Sequence, residues 1–258
     1  GVDSRGKLNL GGDINLRQNK VNFFLSAFYN QRKSLSWSNT DRVNLLTPPS
    51  HVLLDDEGTN VGSFAFIRGG LDIFVDNRNT ISIAGNYNRG KFNNDNIQRI
   101  DSTLDGDYIS YSTRTTNSNF NFKNFGTQLS FKHNFAKTGH DINADLNYNG
   151  SDNNSIANFV TNTFTPDDNP KFRPLQQKTL GVGYNRFTTF QLDYENPIKE
   201  NTKFEAGARV AIRNFRNENS QFFYNESVGD FVPIPSISNN YSYDDKVYAA
   251  YSNYSLKG

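Results

Sequence analysis

The chain has 258 residues, of which 35% are hydrophobic, 14% are aromatic and 38 are asparagine. Many aromatic and asparagine side chains with few aliphatic ones favour strands and polar loops over helices. The formal net charge of +1 gives no bulk attraction to nucleic acid or to an anionic membrane. Without cysteine the fold needs no disulfide and offers no thiolate metal site.

The apolar segments are short throughout the sequence. No run approaches the roughly 18 apolar residues that a transmembrane helix needs, so a membrane crossing is expected only through a barrel of strands. The sequence contains no methionine, even at position 1, and it shows no signal peptide. We interpret it as a processed chain or an excised segment, and favour the segment.

The first 30 residues alternate between apolar and polar side chains on both sides of a short polar turn at 17–20. Alternation of this kind around a turn predicts an antiparallel hairpin. We expect one face to carry the apolar residues Leu8, Leu10, Ile14 and Leu16. The opposite face of the same strand would carry Asn9, Asp13 and Asn15.

The same unit recurs three more times along the chain. Short turns centre near residues 18, 77, 138 and 199, a period of roughly 60 residues. Longer polar segments at 38–61, 93–119, 153–178 and 217–244 separate the hairpins, and we expect them to be loops joining strands of about 12 to 16 residues. Short turns at one end of the strands and long loops at the other are typical of outer-membrane barrels.

The predicted fold is all-β, an antiparallel up-and-down meander with short turns at one end and long loops at the other, and it forms part of a transmembrane β-barrel. We assign 1–258 to a single barrel segment of about nine strands in four hairpin repeats, with no plug domain. A soluble β-sandwich or β-solenoid is the alternative fold.

The two faces of the predicted strands have different expected surroundings. A polar face would cost free energy in a dry core but little in a wet lumen; its members are Asp13, Asn15, Asn22, Gln128, Lys132, Asn143, Asp145, Gln191, Asp193, Glu205 and Arg209. The apolar face would meet outer-membrane lipid. Its aromatic interfacial anchors would be Phe23, Tyr29, Tyr87, Phe135, Tyr148, Tyr194 and Phe204.

Several strand and turn segments resemble the outer-membrane β-barrel domain of TonB-dependent receptor-like proteins, in the form common among Bacteroidetes. The matching stretches are 70–74 with 81–88, 131–135 with 139–141, 191–197 with 202–207, and 248–255. Their order and spacing carry the resemblance, which covers essentially the whole chain. It implies a roughly 22-stranded barrel with an N-terminal plug, importing nutrients with energy passed by TonB.

The chain lacks several parts of that family pattern. It shows about nine strands, no plug and no TonB-contacting segment, so its partners would include the missing strands and plug of the same protein. Exposed sheet edges would pair with those strands. The TonB system would act through the absent plug.

The sequence offers little chemistry beyond the strands. His133 and His140 lie on opposite arms of one hairpin and His51 lies in a predicted loop, but a zinc site needs more ligands. No Ser/His/Asp arrangement or phosphate-binding glycine loop is present. We therefore expect no enzyme activity, no cofactor and no metal, and we name no ligand-binding residue.

Three acidic segments are candidate calcium sites. Residues 101–107 resemble the start of an EF-hand loop, but the closing position is Ser112, so that match fails. Looser sites there, at 55–57 or at 167–168 are the alternative to solvated loop acids. In the basic and aromatic stretch 213–223 acids intervene, so nucleic-acid binding is not expected.

The first functional hypothesis is part of an outer-membrane TonB-dependent receptor or transporter barrel that takes up an unidentified ligand captured by the four long segments. The second is a soluble or surface-attached β-protein that binds glycan or protein through those segments. The third is a structural or secretion-associated outer-membrane barrel without import.

Overall fold

The computed structural model describes residues 1–45, 47–199 and 201–256, and nearly all of them lie in one antiparallel sheet. The ten strands are β1 (Asn9–Gln18), β2 (Val21–Asn44), β3 (Ser50–Phe74), β4 (Asn79–Leu104), β5 (Asp107–Asn134), β6 (Asp141–Phe164), β7 (Leu175–Lys199), β8 (Thr202–Asn225), β9 (Asp230–Pro233) and β10 (Asn239–Leu256). A 3₁₀ turn, Pro235–Ile237, precedes β10.

The strands follow one another across the sheet in chain order. β1 to β8 pair successively, β10 pairs with the other side of β8, and the short β9 extends the turn-distal end of β8. The sheet is open, because β1 and β10 are not paired with each other in the part of the chain that the structure describes. The predicted all-β antiparallel meander is confirmed.

Most strands are 24 to 28 residues long, about twice the predicted length. The segments expected to be long loops are largely strand: β4 and β5, for example, stay paired through Leu104 and Asp107. The loop prediction at 93–119 is therefore wrong over most of its length. These residues are polar on both faces, so their side-chain pattern carries no strand signal, while the backbone continues to pair with its neighbours.

The short turns lie where the sequence predicts them, at 19–20, 75–78, 135–140 and around 200–201, with Glu200 outside the described residues. Asn19 and Gly139 adopt positive φ, which these residue types tolerate. At the opposite end, Asp105 and Gly106 have φ of 53° and 89°. Two consecutive positive φ values and an Asp-Gly pair are typical of a type I′ hairpin turn.

Register gives the sheet two faces of different character. One lateral row of directly opposed residues crosses nine strands and is apolar throughout: Leu16, Phe23, Leu71, Ile83, Leu129, Leu146, Phe190, Val210 and Tyr248. The row one residue along points to the other face and is polar until its last member: Arg17, Asn22, Asp72, Ser82, Ser130, Asp145, Gln191, Arg209 and Ala249. We call these sides the apolar face and the polar face.

The difference between the faces is confined to the half of each strand nearest the short turns. This turn-proximal half ends at the row of Tyr87, Phe125 and Gly150. Beyond it, in the turn-distal half, the apolar face itself becomes polar, as in the opposed pair Asn93 and Asn119.

No hydrophobic side chain is buried among residues 1–45, 47–199 and 201–256, because a single layer has no second layer to pack against. Ile83, Leu129 and Leu146 are 49%, 45% and 43% exposed. A continuous exposed apolar surface of this kind marks an interaction with another apolar phase or protein.

No helix in the described part of the chain has the length and apolarity to cross a bilayer.

Glycine pairs inside the strands provide space for aromatic rings. The register runs through Gly11-Gly12 and Gly69-Gly70 without a shift, so neither pair forms a bulge. A Cβ on Gly70 would lie 2.6 Å from the Phe24 ring, closer than real Cβ contacts. Bulges occur instead at 102–103 and 197–199.

Candidate functional site

The polar face of the turn-proximal half is the candidate functional surface, and its carboxylates are held by neighbouring strands. Asp72 in β3 accepts hydrogen bonds from Asn22 Nδ2 in β2 at 3.1 Å and from Ser82 Oγ in β4 at 2.7 Å. Ser130 Oγ donates to Asp145 Oδ1 at 2.5 Å. Because each acid receives donors across the sheet, the row is preorganised without any ligand.

The same surface continues across β7, β8 and β10. Lys203 Nζ lies 2.7 Å from carboxylate oxygens of both Glu195 and Glu205. The Tyr251 hydroxyl donates to Asp193 at 2.8 Å, reaching over Gly207, where a Cβ would lie 2.3 Å from the Tyr251 ring. These contacts join three strands on the polar face.

All eleven side chains predicted to share the polar face do so in the observed register. Of these, Lys132 lies 3.6 Å from Asp141, and Gln191 Nε2 donates to Asp193 Oδ2 at 2.7 Å. The prediction of their common side is confirmed.

Four phenylalanines form an aromatic patch on the polar face near the boundary of the two halves. Ring centroids of Phe64, Phe92 and Phe120 lie 6.3, 6.2 and 5.9 Å from that of Phe122. Phe122 covers Gly90, where a Cβ would lie 2.3 Å from the ring. Sequence reasoning missed this patch; the period-two spacing of Phe120 and Phe122 and their opposed glycine are the signals that could have found it.

Six of the seven predicted aromatic anchors lie in strands and share the apolar face; Phe135 follows β5. Tyr29, Tyr87 and Tyr148 lie towards the turn-distal margin of the apolar rows. Phe135, Tyr194 and Phe204 cluster at the short-turn end, where the Tyr194 centroid is 6.4 Å from Phe135 and 6.5 Å from Phe204. One group of aromatic side chains therefore lies at the turn-distal margin of the apolar rows, and the other lies at their short-turn margin.

The three histidines have ordinary polar or ring partners. The Phe135 ring contacts both His133 and His140, with centroid distances of 4.5 and 4.0 Å, and His140 Nε2 is 3.0 Å from the Tyr194 hydroxyl. His51, which lies in β3 rather than in a loop, pairs with Asp41. Among the described residues, no group of three or more His, Cys, Asp or Glu side chains could hold a metal ion.

The acidic segments considered for calcium have other partners. Asp55 and Asp56 lie in β3 and not in a loop, which corrects that expectation, and they accept hydrogen bonds from Asn39 and Gln98 at 2.6 and 3.1 Å. Asp168 accepts one from the Tyr111 hydroxyl at 2.8 Å. Donors in these positions take lone pairs that a calcium ion would need.

Asp101, at the turn-distal end, forms a compact charged contact. It accepts hydrogen bonds from Arg99 at 2.9 and 3.0 Å and from the Tyr108 hydroxyl at 2.5 Å. Burial raises the pKa of Asp101, but the Arg99 and Tyr108 hydrogen bonds outweigh it and hold that pKa below its usual value. Arg99 also lies over the Tyr111 ring at 4.3 Å, so this cluster stabilises the tip of the β4–β5 hairpin.

The basic and aromatic stretch 213–223 lies within β8. Arg213 is 5.1 Å from the Phe187 ring centroid, and Arg216 pairs with Glu218 at 3.1 Å. These cations are therefore engaged by neighbours of the same sheet, and they form no uniform basic surface.

Comparison with known proteins supports the barrel architecture. Residues 133–258, just under half of the chain, match the outer membrane protein beta-barrel family. None of the curated proteins compared with the chain matches it. Among solved structures, the CymD monoaromatic hydrocarbon channel aligns over 96% of this chain and 82% of that chain, at 9% identity and a TM-score of 0.10.

The antiparallel sheet is consistent with an outer-membrane β-barrel, and the family match supports a location in the outer membrane. A family of this kind suggests a non-enzymatic role. The predicted fold class and location are thus confirmed.

Proposed function

We propose that this chain forms part of the wall of an outer-membrane receptor or transporter of the TonB-dependent type. The apolar face meets lipid and the polar face lines a wet lumen through which an unidentified ligand passes. The short turns face the periplasm and the turn-distal strand ends stand outside the cell.

The observation that carries the proposal is a pair of adjacent lateral rows, one apolar across nine strands and the other polar across eight of them. In a membrane barrel, lipid-facing and lumen-facing residues alternate along every strand. The apolar stretch from Val21 to Tyr29 in β2 covers nine residues, which corresponds to a tilted crossing of about 25 Å.

The polar face suits a water-filled passage better than a dry interface. Carboxylates such as Asp72 and Asp145 are each satisfied by side-chain donors, but they keep free lone pairs that need solvent. Burying them against an apolar partner would cost several kilocalories per mole in an order-of-magnitude estimate. A lumen that stays wet avoids that cost.

Support for the TonB-dependent type comes from the resemblance of 70–88, 131–141, 191–207 and 248–255 to receptors of that kind. Import then has ligand captured at the turn-distal ends, a plug displaced by TonB, and passage along the polar face. The aromatic patch around Phe122 lies on that path and offers ring faces to a ligand.

The proposal that this chain forms part of a membrane-barrel wall is tested by the protein's solubility and its gel mobility. A folded barrel protein extracted from outer membranes is expected to need detergent and to change its electrophoretic mobility on boiling. A monomer that stays in solution in plain buffer after extraction would instead support the soluble, surface-attached β-protein.

TonB dependence is tested in intact cells of the source bacterium by chemical cross-linking between this protein and TonB. We expect a cross-linked product that disappears when TonB is deleted. A protein that is heat-modifiable but gives no such product would be a non-importing structural or secretion-associated barrel.

A further inference from the structure

A cluster of basic side chains begins where the apolar rows end. On the apolar face, β4 presents Ile81, Ile83 and Tyr87 and then changes to Arg89 and Lys91. The neighbouring strands change at the same level, β5 from Phe125 to Lys123 and β7 from Phe190 to Arg186. We call Arg89, Lys91, Lys123 and Arg186 the basic cluster.

Register brings like charges into direct opposition in this cluster. Arg89 is the cross-strand partner of Lys123, and Lys123 is in turn opposite Asp152 of β6. Like charges in directly opposed positions destabilise a sheet. Over the three rows that contain it on β4 to β7, the cluster sets four cations against one carboxylate, an excess of three positive charges.

The single carboxylate is engaged by only half of the cluster. Asp152 accepts a hydrogen bond from Arg186 Nη2 at 2.5 Å and lies 3.3 Å from Lys123 Nζ. Arg186 also donates to backbone oxygens of Ser151 and Asn185. Arg89 and Lys91 are exposed, and within the described residues neither has a hydrogen bond or an ion pair.

A groove of about 610 Å³ opens beside these side chains. Its lining includes Tyr87, Arg89, Lys123, Asp152, Asn154 and Tyr184. The groove therefore combines two cations, amide and carboxylate groups, and the rings of two tyrosines. A volume of this size accommodates a small-molecule head group.

We propose that the basic cluster binds the phosphate of an anionic lipid head group in the outer leaflet of the outer membrane. Arginine and lysine are the side chains that bind phosphate oxygens, arginine with a planar fork of donors. Basic pockets at head-group level are the usual means by which membrane proteins hold anionic lipids. The phosphate would occupy the space between Arg89 and Lys123 and relieve their repulsion.

The height of the cluster selects lipid over a soluble anion. It follows directly on the apolar rows, and Tyr87 and Tyr148 lie at the same margin, where tyrosine anchors a membrane protein to the interface. An acyl chain attached to the phosphate would lie along the apolar face. The proposal rests on the orientation of the two faces given above and not on import.

The test measures lipid binding by the folded protein in nanodiscs of zwitterionic lipid, with native mass spectrometry as the readout. The probe is bisphosphorylated lipid A, compared with dephosphorylated lipid A and with inorganic phosphate at the same concentration. Wild-type protein should bind the phosphorylated lipid, bind the dephosphorylated lipid at least tenfold more weakly, and lose no lipid to inorganic phosphate.

The decisive variant is the double substitution Arg89→Gln and Lys123→Gln. Each basic residue near an anionic surface strengthens binding about fivefold, so the pair should weaken lipid A binding roughly 30-fold. The matched control, Arg78→Gln with Lys199→Gln, removes two exposed charges at the short-turn end and should leave binding unchanged. Heat-modifiable mobility checks that each variant folds.

Two further variants keep the test decisive if the double variant fails to fold. Lys91→Gln removes one unpaired cation and should weaken binding about fivefold, while the charge-conserving exchange Arg89→Lys with Lys123→Arg should retain it. Equal binding by wild type and the glutamine variants would overturn the proposal. So would equal binding of phosphorylated and dephosphorylated lipid, or displacement of the lipid by inorganic phosphate, which would indicate a site for the free anion.

This outcome is separable from that of the proposed function. Loss of lipid binding by the glutamine variants with normal TonB cross-linking would leave both proposals standing. Absence of TonB cross-linking would remove import without changing the expected lipid binding.

Discussion

The turn-proximal and turn-distal halves of these strands share one backbone and one register but carry different side-chain patterns. In β4 the turn-proximal half presents Ile81 and Ile83 on one face and Ser82 on the other. In the turn-distal half, residues 93–96 are polar on both faces, with Asn93 and Asp95 on one side and Asn94 on the other.

The comparison separates two requirements on a strand, which are backbone hydrogen bonding and the alternation of apolar and polar side chains. Backbone pairing is continuous through both halves, because unpaired N–H and C=O groups are costly wherever they lie. Side-chain alternation is needed only where one face meets lipid and the other water. In the turn-distal half amide side chains bond to each other instead, as Asn119 Nδ2 does to Asn93 Oδ1 at 2.6 Å.

The largest expected effect comes from placing a charge on the apolar face of the turn-proximal half. Leu129→Arg should lower the free energy of unfolding by about 2–4 kcal/mol, the cost of arginine near the bilayer midplane. Thr115→Arg, on the same face of β5 in the turn-distal half, should cost about 0–1 kcal/mol. Guanidinium unfolding in lipid vesicles measures both, and equal losses would refute the division between the halves.

The second largest effect is expected at Gly150, at the boundary of the two halves, where an added side chain would disturb packing without adding a charge. A Cβ on Gly150 would lie 2.2 Å from the Phe125 ring, so Gly150→Ala should cost about 1–3 kcal/mol from overpacking. At Gly85 the nearest atom is a backbone oxygen at 3.5 Å. Gly85→Ala should therefore be neutral, or stabilising by about 0.5 kcal/mol, in the same unfolding measurement; a reversed order would contradict the ring-over-glycine packing.

A smaller effect is expected from a hydrogen bond on the polar face. Tyr251→Phe removes the donor to Asp193 while keeping the ring over Gly207, and should cost about 0.5–1.5 kcal/mol. Tyr248→Phe changes a neighbouring hydroxyl on the apolar face, where the described residues provide no hydrogen-bond partner. That control should leave the unfolding midpoint within error; an equal shift for both variants would show that the Asp193 contact adds nothing.

The smallest effect concerns a short turn and depends on pH. Backbone N–H groups of Arg78 and Asn79 and the Asn79 side chain donate to Asp76 at 2.7–2.8 Å. The Arg78 N–H bond is the foremost cause that holds the pKa of Asp76 below 3.8. A lowered folded-state pKa gives stability that is fully present above the unfolded value and is lost as pH falls through the folded value.

Thermal unfolding of Asp76→Ala and wild type should therefore differ most above about pH 5 and converge as the pH falls through the lowered pKa of folded Asp76. Asp107, at the turn-distal hairpin tip, has no side-chain hydrogen bond among the described residues, so Asp107→Ala serves as the control. A difference for Asp76→Ala that stayed constant from pH 7 to pH 3 would exclude the carboxylate as its source.

The turn-proximal half of the sheet was predictable from sequence, because its strands carry apolar side chains on one face and polar side chains on the other. Alternation around residues 18, 77, 138 and 199 predicted the short turns, and it assigned Asp145 and Tyr148 to opposite faces correctly. The turn-distal strands were missed because residues such as Asn93, Asn94 and Asp95 are polar in succession. Their pairing partners are separated along the chain and leave no local pattern.

The candidate site was predictable only in outline. Which side chains share the polar face follows from period two, but Phe122 over Gly90 and Arg89 opposite Lys123 follow from cross-strand register. Register depends on the exact length of each turn, and a one-residue slip would exchange the two faces.

In the orientation proposed above, the unusual strand length determines how far the sheet would project from the cell surface. β5 has 28 residues, which at about 3.3 Å each and a tilt near 40° rises roughly 70 Å along the membrane normal. With about 25 Å of that height within the apolar band, roughly 45 Å of paired sheet stands beyond it. In that orientation, antibodies and proteases would therefore contact a stiff, hydrogen-bonded β-sheet before they could reach flexible backbone.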